Sequence, residues 1–135
     1  MVEQFMPQLD ALINRTRARL EAAVKESALQ VGITMVGRTP VQSGLLVGSW
    51  FVSINNINVT FTGSEDVTGA NSKARVATGL EAYNLGDTIY ILNTTSYGGF
   101  VEFGTTKMAP RAFVRSTAAD APQIVNAVVG SFNLQ

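Results

Sequence analysis

The stretch GDTIYILNTTSYGGFVEFGTTKMAPRAFVRST, residues 86–117, decides how this chain folds. Its first part, DTIYILNT (87–94), is rich in Ile and Tyr and reads as a strong strand. The shorter GGFVEFG (98–104) reads as a second strand, with the glycines before it serving a tight turn. After Pro110 the pattern changes period. Val114, Thr117, Ala118, Ala121, Ile124, Val125, Val128, Val129 and Phe132 fall on one helical stripe, which predicts a C-terminal helix over 112–132. Pro122 lies inside that stripe. Either Asp120 caps a fresh helix with Pro122 in its first turn, or the helix kinks there.

Upstream of this stretch, SWFVSI and NVTFT flank the Asn-rich NNIN, which predicts a β-hairpin with Trp50, Val52 and Ile54 on one strand and Val59 and Phe61 on its partner. The intervening GSEDVTGANSKARVATGLEAYNLGD (63–87) is polar. Its second half predicts a short helix with Val76, Leu80 and Tyr83 on one face, weakened by Gly79. The chain begins with a long helical pattern over 3–37, in which Phe5, Leu9, Leu12, Ile13, Leu20, Val24, Ala28, Val31 and Met35 form one stripe. Pro7 suits the first turn, and Gly37 with Pro40 stops the helix. Such a helix is about 50 Å long, more than the diameter of a small domain. Part of it is expected to project beyond the core, or to bend at Gly32.

Strands between two terminal helices predict an α+β fold: an antiparallel sheet of about four strands with a short middle helix and the C-terminal helix packed on one face. The expected organisation is a single domain, 1–135, with the sheet and its loops over 45–104 and a docking arm over 104–112. A length of 135 residues suits one domain.

Composition removes several classes of chemistry. The chain has no cysteine and no histidine, which excludes disulfides, thiol nucleophiles and a Ser-His-Asp triad. Charged residues are only 15% against 46% hydrophobic, a balance that suggests surface either covered by neighbouring molecules or filled by small polar residues such as Ser, Thr, Asn and Gln. The net charge is zero, so no global field favours nucleic acid or a membrane. No run has the length and apolar character of a membrane span, and MVEQFMPQLD lacks the basic start of a signal peptide. No cofactor and no metal are expected.

The remaining candidates are few. Glu65 with Asp66, and Glu81 with Asp87, read as solvated surface acids. Glu102 could serve as a base, but no catalytic partner stands near it in the sequence, and a bond that fixes the following loop to Lys107 or Arg111 is the preferred reading. The glycines of SYGGF and EFGTTK lack the spacing of a phosphate-binding loop. Arg15, Arg17 and Arg19 lie close together on the first helix, with Arg15 and Arg19 on one face. They form either a DNA or partner contact or a solvated face partly neutralised by Glu21 and Glu26.

Two stretches together resemble a known family. RTPVQSGLLVGSW (38–50) is similar to a pattern in which a long helix exits into TPVxTGxLxxSW, and residues 86–117 are similar to GDTIYIxNxxxYAxxxEYGxSKxAPxGMVR. These patterns mark the tail-completion family of long-tailed bacteriophages, the neck, head–tail connector or minor tail proteins. This chain departs from them at Ser43 in place of Thr, Gly98 in place of Ala, the additional Gly99, and AFVR in place of GMVR.

The resemblance implies a structural virion protein without enzymatic activity, assembled in the host cytoplasm and located at the head–tail junction. It implies a homo-oligomeric ring, a hexamer, around the DNA channel, with the head connector or adaptor and the tail terminator or tube as partners. DNA would only pass through, and no membrane is involved. Thr39, Pro40, Ser43, Gly44 and Trp50 would then form the helix exit, and Tyr97, Glu102, Phe103, Gly104, Lys107, Pro110 and Arg111 the contact between subunits. The competing expectations are a small monomeric protein-binding module that uses the same arm, and a small enzyme with Glu102 as its base.

Overall fold

The computed structural model describes residues 2–57 and 60–132. In chain order they form α1 (Val2–Arg38), a 3-10 turn (Val47–Ser49), β1 (Trp50–Ile54), α2 (Ala70–Leu80), β2 (Ile89–Asn93), α3 (Gly98–Phe103) and α4 (Phe113–Phe132). The fold is α+β, with the long N-terminal helix, an antiparallel sheet and a C-terminal helix.

The sheet has two strands rather than about four. β1 pairs antiparallel with β2, from Trp50 opposite Asn93 to Ile54 opposite Ile89. The predicted hairpin does not form among the described residues. Its proposed strand residue Val59 lies outside them, and Phe61 is not in a strand. Phe61 instead stacks on Phe51 with ring centroids 5.0 Å apart, and the Arg75 guanidinium lies 4.6 Å from its ring. Arg75 explains the failed pairing in part. Its Nη1 donates to the Trp50 carbonyl at 2.7 Å, on the edge that a hairpin partner would need. At the other end of β1, Asn55 closes the sheet against β2. Its N–H donates to the Thr88 carbonyl, and its side-chain oxygen accepts from the Thr88 N–H at 2.9 Å.

The second predicted strand, GGFVEF, is the helical turn α3. A short apolar run has no decisive period. A strand would turn Val101 and Glu102 to opposite sides. The helical turn brings both inward, Val101 against the core and Glu102 into burial, while Phe100 and Phe103 point to solvent at 62% and 64% exposure.

A two-stranded sheet is marginal alone, and helices hold this one. Met35 and Val36 of α1, Leu46 and Val47 of the loop, Trp50 of β1 and Phe113 of α4 make the core, with Val31, Ile91 and Val101 packed against it. α1 runs unbroken through Gly32 for 37 residues. Gly32 is a point of close approach, since a Cβ there would meet Val76 Cγ1 of α2 at 2.8 Å. Pro7 lies a turn deeper in the helix than expected. The α1 residues 10–20 are exposed throughout, and packing against the domain begins near Glu21. So the helix projects, and it passes Gly32 without a break.

α4 is one helix of 20 residues, with Pro122 inside it. It packs chiefly along α1, not across the sheet. The two helices run antiparallel and are tied at both ends. Arg38 Nη2 meets Asp120 Oδ2 at 2.6 Å, and Arg19 Nη2 donates to the Phe132 carbonyl at 2.6 Å. Asp120 is therefore an ion-pair partner rather than a helix cap.

Candidate functional site: a loop and an arm on one face

The loop that leaves α1 is built around Thr39. Its hydroxyl donates to the Met35 carbonyl at 2.7 Å and accepts from Trp50 Nε1 at 2.9 Å. One buried hydroxyl thus serves an orphan carbonyl of the helix end and the one polar atom of the core tryptophan. The Trp50 ring meets Phe113 edge-on at 6.1 Å. Gly44 has φ of 92°, in the region that favours glycine, and its carbonyl accepts from both Gly48 N–H and Asp66 N–H. The Ser43 hydroxyl accepts from the Leu45 N–H at 3.3 Å, which tightens the same turn.

The arm begins at Gly104, with φ of 82° and ψ of 173°, a conformation confined almost to glycine. Thr105 and Met108 then exchange backbone hydrogen bonds, which turns the chain back on itself. The arm returns under α3, where Arg111 N–H donates to the Val101 carbonyl and Ala112 N–H to the Glu102 carbonyl.

Glu102 holds this return in place. It is only 5% exposed, and both carboxylate oxygens are engaged. Oε1 accepts from the Val114 N–H at 2.8 Å, and Oε2 accepts from the Arg115 N–H at 3.1 Å and from Arg115 Nε at 2.7 Å. Those N–H groups belong to the first turn of α4, so Glu102 caps that helix from a different segment. Burial raises its pKa, but the Val114 N–H and Arg115 outweigh that and hold it below the ordinary glutamate value. A carboxylate so stabilised is a weak base. Its partner is Arg115, not Lys107 or Arg111, and Arg115 also lies over the Phe103 ring at 4.6 Å.

Asp66 plays the same part for α2. It was expected to be a solvated surface acid, yet it is 7% exposed, and Oδ2 accepts from the Ser72 N–H at 2.8 Å. The Ser72 hydroxyl in turn donates to the Val47 carbonyl at 2.6 Å. Neither cap is visible in local sequence, because each carboxylate lies outside the usual capping position.

Loop and arm meet. Pro40, Ser43 and Gly44 on one side and Tyr97, Met108 and Arg111 on the other line a cleft of about 260 Å³. Tyr97 and Arg111 are exposed in its lining, and Lys107 and Pro110 are exposed on the same arm; Phe103 is exposed on another cavity, with the buried Trp50 and Glu102 in its wall, and Thr39 is buried. The arginines of α1 do not form one site. Arg19 is tied to the end of α4, while Arg15 and Arg17 are exposed with no ion pair among the described residues. Among the described residues no group of three or more Asp or Glu could hold a metal ion, and no helix is long and apolar enough to cross a membrane. No protein-family model, curated protein or solved structure matches the chain.

Proposed function

We propose that this chain is a structural virion protein of a tailed phage. Copies close into a ring of six at the head–tail junction, between the head connector or adaptor and the tail terminator or tube. DNA passes through the ring, the protein carries no enzymatic activity, and assembly takes place in the host cytoplasm. One observation carries the reading. The two stretches that resemble the tail-completion family lie far apart in the chain, yet they form the two walls of one exposed cleft. In that cleft Tyr97 and Arg111 offer an aromatic ring and a guanidinium to a neighbour, as protein interfaces favour, and Phe103, Lys107 and Pro110 are exposed on the same segment. Glu102 and Gly104 shape the arm from below.

The test is light scattering over a concentration series, with negative-stain images of any large species, followed by binding to purified tail tubes. A closed ring, or a monomer that binds tubes, is the expected result. A strict monomer that binds neither tubes nor connectors overturns the reading and favours a small monomeric binding module.

A further inference from the structure

The arm is held differently from the elements on either side of it. Residues 105–111 are all exposed, so they add little to the core. Thr105 and Met108 exchange backbone hydrogen bonds, and the Lys107 N–H donates to the Thr105 hydroxyl, so the arm is a small unit tied to itself. Among the described residues only two hydrogen bonds tie its returning end to α3. Arg111 N–H donates to the Val101 carbonyl at 2.9 Å, and Ala112 N–H to the Glu102 carbonyl at 3.1 Å. Few buried contacts and exposed backbone bonds mark a segment of low local stability.

The two ends of the arm are fixed. The Gly104 N–H donates to the Phe100 carbonyl and closes α3. The Ala112 carbonyl accepts from the Ser116 N–H and already belongs to α4, whose first turn Glu102 grips at Val114 and Arg115. Both end residues have left-handed backbone, with φ of 82° at Gly104 and 46° at Ala112. Glycine adopts it freely, whereas an alanine is strained there. The carbonyl side of Ala112 is held in α4, so its strained torsion is the bond about which the arm can turn.

We propose that residues 105–111 form a strap that swings as one piece about Gly104 and Ala112, and that this structure is its closed position. Met108 and Arg111 of the strap wall the cleft that Pro40, Ser43 and Gly44 also line. Swinging out removes that wall and opens the cleft to a neighbour. The inference deepens the assembly reading above and rests on it only for what enters the cleft. Two residues set the balance between the positions. Gly104 permits closure, because a Cβ there would meet Pro110 N at 2.8 Å and the Met108 carbonyl oxygen at 2.9 Å, both atoms of the strap. Ala112 opposes closure, because its φ relaxes when the strap leaves. Substitutions at the two hinges therefore act in opposite directions.

The test is residue-resolved amide exchange of the full chain, kept dilute so that it is unassembled. The Arg111 and Ala112 amides are expected to exchange together, with protection about a hundredfold below that of Val114 and Arg115. Ala112→Gly relieves the strain of the closed strap and should raise Arg111 protection about threefold or more. Gly104→Ala should lower it about tenfold while Val114 and Arg115 keep theirs. Equal protection of Arg111 and Val114 would overturn the proposal, since the strap would then open only with the start of α4. A Gly104→Ala protein that loses Val114 protection as well, or two variants that shift Arg111 in the same direction, would also overturn it. Exchange is read on the unassembled chain, so failure of the strap leaves the ring reading standing, and failure to form a ring leaves the strap standing.

Discussion

Glu102 shows how much one side chain contributes here. Both of its oxygens satisfy donors at the start of α4, and its chain position also sets where the arm returns. Glu102→Gln keeps the shape but presents an amide to those donors, and is expected to destabilise the protein by about 1–2 kcal/mol, read from denaturant midpoints. The pH dependence follows from the sign of the shift. The native pKa lies below the unfolded value of about 4.3, so the stabilisation is complete above that value and is lost as pH falls through the native pKa. The variant should therefore lose less stability than the parent between pH 5 and the acid limit, at unequal starting values. Asp87 adds to the same acid limb, its pKa held low first by the Asn55 amide and then by the Asn84 N–H. Thr39→Val is expected to cost about 1–3 kcal/mol, because it leaves Trp50 Nε1 buried without an acceptor. A Thr39→Ser variant should recover most of the loss. A Thr39→Val protein with an unchanged denaturation midpoint would refute the bridging role given to that hydroxyl.

The elements are joined by close approaches more than by the sheet. α1 meets α2 at Gly32 against Val76, a side chain with no exposure. Gly32→Ala gains helix propensity of up to about 1 kcal/mol, yet its methyl would lie 2.8 Å from a stiff, buried valine. The overlap should win, with a net loss of about 1–2 kcal/mol. Combining it with Val76→Ala should cost less than the sum of the two single changes, a coupling that a double-mutant cycle measures. Strictly additive losses would show that the two helices do not meet there. α3 is the element that sequence patterning misread. Its alternation fits a strand as well as a turn of helix, and the choice falls to Val101 and Glu102, which both find buried partners only in the helical turn. Its residues and the arm that follows stood out in the sequence by their glycines, Pro110 and aromatics, but not in the secondary structure that presents them.

The protein as a unit is a helix-braced core with a rod standing out of it. An isolated helix shorter than about 12–15 residues is marginal in water, so the outer stretch of α1, held by little beyond its own backbone bonds, should show it. Amide exchange in the monomer is expected to be fast over residues 5–18 and slow over 23–36, where Ala23, Met35 and Val36 are buried. Uniform protection along α1 in the monomer would contradict the picture of a free rod.

Local sequence was enough for α1, α2 and α4. The stripes in α1, α2 and α4 repeat over several turns, and Pro40 acts on the backbone directly just beyond the end of α1 at Arg38, so neither depends on distant contacts; Gly37 lies within the helix and does not end it. It was enough, too, to single out the helix exit and the arm. Only the tertiary structure decided which strand pairs with which, because β1 finds β2 far along the chain while Arg75 occupies the edge that its neighbour in sequence would have used. It also decided what Asp66 and Glu102 do. A carboxylate is a surface charge or a buried cap according to whether unpaired N–H groups of another element arrive beside it, and that arrival is a property of packing.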